Sequence, residues 1–214
     1  MAKNEPKAFL EVVLDQFSKV RKEDGAILVD EYVNAYEAII VFFDYFGRLF
    51  SFITADVKSK IEILRKHRKG DAGQNYLSVR SMLEYEVNRN ITIVKGPIPS
   101  ASRTLLRLHR ALDFIRLFFE KLSESQEHDK VSSIASDCYN QTLANFHPWL
   151  VRKGTALAMY ALPNRACLLT KINDQATTTE ADTLQLLANI VAVINPIYEE
   201  TQSLYIKQDL LLLP

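Results

Sequence analysis

Apolar residues recur at intervals of three and four along almost the whole chain, and the strict alternation of a half-buried strand is absent. Leu10, Val13, Leu14 and Phe17 form one such stripe shortly after Pro6. Asp30 is placed to cap a strongly apolar helix running through Tyr36, Ile39, Ile40 and Phe43. A third helix is expected over about Thr54 to His67, closed by Lys69-Gly70-Asp71-Ala72-Gly73. A fourth is expected from about Gln74 to Ile93, with Tyr76, Val79, Leu83 and Val87 inward. Gly96-Pro97-Ile98-Pro99-Ser100 is the clearest loop. A long helix then reaches from Ser102 to Leu122, followed by the polar segment Ser123 to Lys130. Another spans roughly Ser133 to Phe146 and breaks at Pro148; the next starts near Trp149 and ends before Pro163. A short helix follows Pro163, and the last begins near Thr179 with a kink expected at Pro196. No repeat, low-complexity tract or long linker interrupts the series, so one all-α domain over 1–214 is expected.

Composition narrows the function classes. Lys+Arg and Asp+Glu both total 26, so no bulk field draws the chain to nucleic acid, and any anion specificity must come from a local cluster. The N-terminal residues lack the apolar run of a signal peptide. The least polar stretches, Ala38 to Phe43 and Gly154 to Leu162, fall far short of the roughly 18 residues of a membrane span. A soluble, cytoplasmic protein is expected. Cys138 and Cys167 have no metal-ligand spacing and make no disulfide framework; both read as reduced core thiols. With no nucleophile–base pair, metal cluster or glycine-rich phosphate loop, neither enzymatic activity nor a metal or cofactor is expected.

The informative residues are charges inside apolar stripes. At about 100° per residue, Ile53, Val57, Lys60 and Leu64 share one face, with Asp56 at its edge. A lysine there is costly unless an anion meets it. Asp56 is one turn away; the two are either an ordinary marginal ion pair or part of a site. Arg103, Arg107 and Arg110 also fall on one face, which continues into Phe114, Leu117 and Phe118. Leu105, Leu108, Leu112 and Phe119 make the opposite face apolar too. Stacked guanidinium groups repel one another, and their planar forks suit a phosphate between them. Arg110 can alternatively pair with Asp113. His147 precedes Pro148 and so sits at a helix–helix corner, as a structural residue or as a donor to a buried carbonyl. Trp149, the single tryptophan, stands beside Arg152 and Lys153, a combination that suits either a core position or a membrane interface.

Five segments carry a resemblance to a known family: Leu49-Phe50-Ser51-Phe52-Ile53 with Asp56-Val57-Lys58-Ser59-Lys60, the run Arg103 to Leu112, Tyr139-Asn140, Phe146-His147-Pro148-Trp149, and the ending Leu210-Leu211-Leu212-Leu213-Pro214. In order and spacing they resemble the glycolipid-transfer-protein family over nearly the whole chain. The resemblance implies a two-layer, all-helical sandwich enclosing lipid chains, with the headgroup at the surface. It implies that Asp56 accepts from the sphingoid amide N–H and hydroxyl, and that His147 donates to the amide carbonyl. It implies that Lys60, Arg103 and Arg107 hold a phosphate, with Arg110 a further headgroup candidate. The glycolipid-binding branch has a tryptophan where Arg107 stands and an asparagine where Lys60 stands. Both departures favour a phosphate, so the implied cargo is ceramide 1-phosphate, moved between membranes without enzymatic change. Phe42, Phe46, Phe50, Ile53, Phe114, Phe118 and Phe146 are candidates for the apolar wall, and Trp149, Arg152 and Lys153 for membrane docking. A monomer in transient, peripheral contact with membranes such as Golgi, endosome and plasma membrane is expected. A glycolipid carrier and a lipid-sensing adaptor are the competing expectations.

Overall fold

The computed structural model describes residues 8–44, 50–173 and 179–214. Phe46 and Leu49, named above, lie outside the described residues. Nine α-helices are described: α1 (Phe9–Ser18), α2 (Val29–Asp44), α3 (Ser51–Lys69), α4 (Val79–Asn88), α5 (Ala101–Ser123), α6 (Val131–Gln141), α7 (Trp149–Tyr160), α8 (Arg165–Ile172) and α9 (Glu180–Lys207). Extended pairing among the described residues is limited to two isolated bridges, Arg21 with Ile27 and Leu28 with Ser78.

Local chemistry sets the helix ends. Ser100, Asn164 and Thr179 each accept a backbone N–H of the first turn of α5, α8 and α9. α5 has a second anchor, the fully buried Glu86 of α4. Its carboxylate accepts from the Ser100 hydroxyl at 2.6 Å and from the Ala101 and Ser102 N–H groups at 2.8 and 3.0 Å. A carboxylate at the positive end of a helix is favourably placed. Gly25, at φ +84°, makes the tight return between Lys22 and Ala26 that precedes α2.

Three expectations about element ends need correction. Asp30 is not a cap; it lies in the first turn of α2, and its Oδ2 accepts from Arg68 Nε and Nη2 at 2.9 and 2.8 Å. The helix expected over Gln74 to Ile93 is a 3₁₀ turn, Gly73–Tyr76, followed by the shorter α4. It stops because Asn90 takes φ +57° and Ile91 N–H reaches back to the Glu86 carbonyl, a left-handed C-terminal cap. The helix expected to reach Phe146 ends at Gln141, with a 3₁₀ turn over Ala144–Phe146. Pro196 does lie inside α9, which runs on through it. Cys138 is a buried free thiol as expected, but Cys167 is exposed: α8 turns Leu168, Leu169 and Ile172 inward instead.

The helices stack as a two-layer, all-helical sandwich around α5. α5 packs against α9, α3, α6 and α4, while α2 bridges α1 and α3, and α1 closes on α9. Leu105, Leu108, Leu112 and Phe119 are all buried, so α5 is covered on the face opposite its arginines. Buried phenols fix its backbone. The Tyr36 hydroxyl donates to the Leu108 carbonyl, and the Tyr205 hydroxyl donates to the Ser102 carbonyl at 2.7 Å. The arginine ladder is therefore carried by a helix held by buried partners on its opposite side.

Candidate functional site

A cavity of about 450 Å³ opens between α2, α3, α5, α6 and α7. Its apolar part is aromatic. Phe114 and Phe118 stack at 5.9 Å, and Phe42 meets Phe119 edge-on at 5.6 Å. Of the wall residues expected from sequence, Phe42, Phe50, Ile53, Phe114, Phe118 and Phe146 line the cavity. Tyr36, Ile39 and Met159 line it too and were missed, because periodicity marks an inward side chain without distinguishing core from cavity wall.

The polar end gathers Asp56, Lys60, Arg107, Arg110, His147 and Pro214. Lys60 Nζ stands 2.5 Å from Asp56 Oδ1. The pair is lopsided: the lysine side chain is 12% exposed and the aspartate 67%. Burial pushes the Lys60 ammonium below its ordinary pKa; Asp56 opposes the shift and the Arg107 charge adds to it. Partial desolvation at the cavity mouth likewise lowers the Arg107 pKa although the residue stays exposed, reinforced by Arg103 and opposed by Asp56. Each cation thus carries a penalty from burial and a like-charged neighbour that an anion beside it would relieve. Among the described residues no hydrogen bond or ion pair takes up the Arg107 guanidinium.

The other two arginines are already engaged. Arg103 is not among the lining residues; its Nε donates to the Pro214 backbone oxygen at 2.7 Å. Arg110 Nη2 donates to the Leu211 and Leu213 carbonyls at 2.8 and 3.1 Å, and its guanidinium lies 4.0 Å over the Phe146 ring. Arg110 does not pair with Asp113, which instead accepts from Arg116. The last residues leave α9 through Asp209, at φ +54°, and run as a strap along the ladder, with Leu210 and Leu213 buried. Spacing along α5 could not reveal this, since the acceptors lie about a hundred residues away.

His147 takes the extended geometry expected before proline, φ −105° and ψ 134°, at the corner between the 3₁₀ turn and α7. Its Nδ1 lies 2.9 Å from the Tyr139 hydroxyl. Burial lowers its pKa, with Asp56 opposing and Lys60 adding, so the imidazole is neutral near pH 7. α7 turns Thr155, Ala158 and Met159 inward. On its other side Trp149, Leu150, Lys153, Ala156, Leu157 and Tyr160 share an exposed arc of about 120°. Trp149 is 65% exposed, Leu150 74% and Tyr160 86%, so the tryptophan is not a core residue. Lys153 Nζ stands 5.8 Å over its ring, and Arg152 is exposed beside it.

A family model described as glycolipid transfer protein matches residues 27–174. The chain belongs to the glycolipid transfer protein family. Within that family it is 38% identical to the ceramide-1-phosphate transfer protein of Danio rerio over 96% of this chain and 97% of that one. It is 36% identical to the protein of the same name from Xenopus laevis over the whole of both chains. Among solved structures of the family's fold, human ceramide-1-phosphate transfer protein in complex with 2:0 ceramide-1-phosphate superposes with a TM-score of 0.90. The two are 33% identical, with 98% of this chain and 100% of that one covered. Among the described residues no helix is long and apolar enough to cross a membrane, and no group of His, Cys, Asp and Glu could hold a metal ion.

Proposed function

We propose that this protein carries ceramide 1-phosphate between membranes, taking up and releasing the lipid without covalent change. The observation that supports this most is the joining of an aromatic cavity to a polar end where Lys60 and Arg107 lie together, with Arg107 unengaged. The names of the relatives, and the ligand in the human structure, point the same way. In this reading Lys60 and Arg107 receive the phosphate first, and Arg103 joins by exchanging the Pro214 oxygen for a phosphate oxygen. Arg110 keeps its place on the strap. Asp56 accepts from the amide N–H and neighbouring hydroxyl, and His147 donates to the amide carbonyl. An amide left unpaired in such a site would cost about 1–3 kcal/mol per group, so both partners matter. Each CH₂ of the chains buried among the phenylalanines contributes about 0.8 kcal/mol, whichever headgroup is attached. Selectivity therefore rests on the charged end. The exposed arc of α7, aromatic and basic together, is the surface that meets the bilayer. The protein acts as a monomeric single domain, in peripheral contact with membranes from the cytosolic side.

The test is transfer between vesicles of fluorescent ceramide 1-phosphate against fluorescent galactosylceramide with identical chains. At least about tenfold faster transfer of the phosphate lipid is expected, the effect of one charge-assisted contact. Equal rates, or faster galactosylceramide transfer, would overturn the reading.

A further inference from the structure

Tyr139, on α6, is buried and lines the same cavity. Its ring lies 5.7 Å from that of His147, and its hydroxyl meets Nδ1 at 2.9 Å. A neutral imidazole carries one N–H and one lone pair, and whatever bonds to one nitrogen decides what the other offers. Nδ1 faces Tyr139, so the direction of that hydrogen bond sets the chemistry of Nε2. Burial raises the Tyr139 pKa, opposed by Thr155 and Arg152, so the phenol keeps its proton at neutral pH. Thr155 is the other hydroxyl beside it, and its own proton goes to the Val151 carbonyl at 2.9 Å. Two acceptors are open to the phenol proton, His147 Nδ1 at 2.9 Å and the Thr155 oxygen, and an imidazole lone pair is the stronger acceptor of the two.

We infer that Tyr139 is a positioning residue: it donates to His147 Nδ1 and so holds the imidazole as the Nε2–H tautomer, a fixed donor aimed at a carbonyl acceptor in the cavity. The inference rests on the ceramide reading only for the identity of that acceptor, the amide carbonyl. Asp56 cannot take this role, because an ionised carboxylate only accepts. The two groups divide the amide between them, Asp56 serving its N–H and His147 its C=O. A free imidazole would present a lone pair to the carbonyl for part of the time, and that geometry is repulsive. Without the phenol, the site would bind phosphate equally well and discriminate amides less.

The experiment uses full-length, ¹⁵N-histidine-labelled protein at pH 7.5, with His147 assigned by the signals missing in His147→Gln. Long-range ¹H–¹⁵N spectra are expected to show a protonated Nε2 and an unprotonated Nδ1 at His147, and a mixture of tautomers in Tyr139→Phe. A protonated Nδ1 in the unmodified protein would mean that the phenol donates to Thr155 instead, and would sink the idea. An unchanged tautomer in Tyr139→Phe would sink it equally. In parallel, ceramide 1-phosphate transfer between phosphatidylcholine vesicles should fall about tenfold in Tyr139→Phe, the effect of one oriented hydrogen bond. Transfer of dihexadecyl phosphate, which has no amide, should be unaffected. An equal fall for both lipids would assign Tyr139 a merely structural role. If the tautomer is fixed but neither protein moves ceramide 1-phosphate, the positioning holds and the lipid reading fails.

Discussion

At the scale of single residues, the Lys60–Asp56 pair separates a structural from a functional account. An i,i+4 pair whose carboxylate stands in water contributes at most about 1 kcal/mol. Asp56, two-thirds exposed, can therefore add little to folding. Asp56→Asn is expected to shift the free energy of urea unfolding by less than about 1 kcal/mol. It should nevertheless slow ceramide 1-phosphate transfer by about tenfold, because the amide N–H loses its anionic acceptor. Arg107→Leu should leave unfolding within about 0.5 kcal/mol, since the side chain is exposed. Transfer by that variant should be abolished, and the Lys60 pKa should rise as one neighbouring cation is removed. Lost stability with transfer intact would return the pair to an ordinary surface contact. These charges were legible in the sequence because they interrupt apolar stripes. The partners of Glu86 and Tyr139 were not, although the resemblance includes Tyr139, since they lie on other elements: the start of α5 for Glu86, the corner before α7 for Tyr139.

At the scale of elements, helices were readable from periodicity, and their starts best where a capping side chain or a proline marks them. Ser100 and Thr179 mark the starts of α5 and α9 within a residue of expectation. The end of α4 was missed because Asn90 sits within a run of side chains, Tyr85 to Ile93, that still reads as helical; its left-handed φ is a backbone choice without a distinct pattern. α7 is the element whose two faces differ in kind. The inward side chains are small or flexible, and the outward arc combines Trp149, Leu150, Leu157 and Tyr160 with Lys153. A patch of this composition left in water suits a bilayer surface, the role proposed for it above. Since the sequence has one tryptophan, its emission reports α7 alone. Vesicles of phosphatidylcholine with phosphatidic acid should shift it to shorter wavelength. Leu150→Ser with Leu157→Ser, which keep the fluorophore, should weaken vesicle binding at least about tenfold, given about 1.5 kcal/mol or more per buried leucine. An emission maximum that ignores vesicles would remove α7 from the membrane surface.

At the scale of the whole molecule, stability should carry the signature of one buried imidazole at the joint between α5 and α9. His109 is stacked 4.5 Å from Tyr198 and 6.0 Å from Tyr205, with Nε2 2.7 Å from Gln202 Oε1. Burial depresses its pKa from 6.5 to about 4; Arg110 and Arg116 add to the shift, while Gln202 and Asp113 oppose it. Between those two values the unfolded chain binds a proton that the folded chain refuses. Stability therefore rises with pH across that window and falls as the solution is acidified from 6.5 toward 4. A shift of this size corresponds to at most about 3.5 kcal/mol across the full window. His147, also depressed, adds in the same direction. Urea midpoints measured at pH 7, 5.5 and 4.5 should fall steadily. His109→Phe, which preserves the stack on Tyr198, should flatten the decline without removing the His147 share. If the variant falls as steeply as the unmodified protein, His109 is not the group responsible. Because α5 holds the arginines on one side and is clamped to α9 on the other, loosening that joint in acid should also disorder the ladder. Transfer should then decline with the same midpoint as unfolding, rather than with the titration of the phosphate.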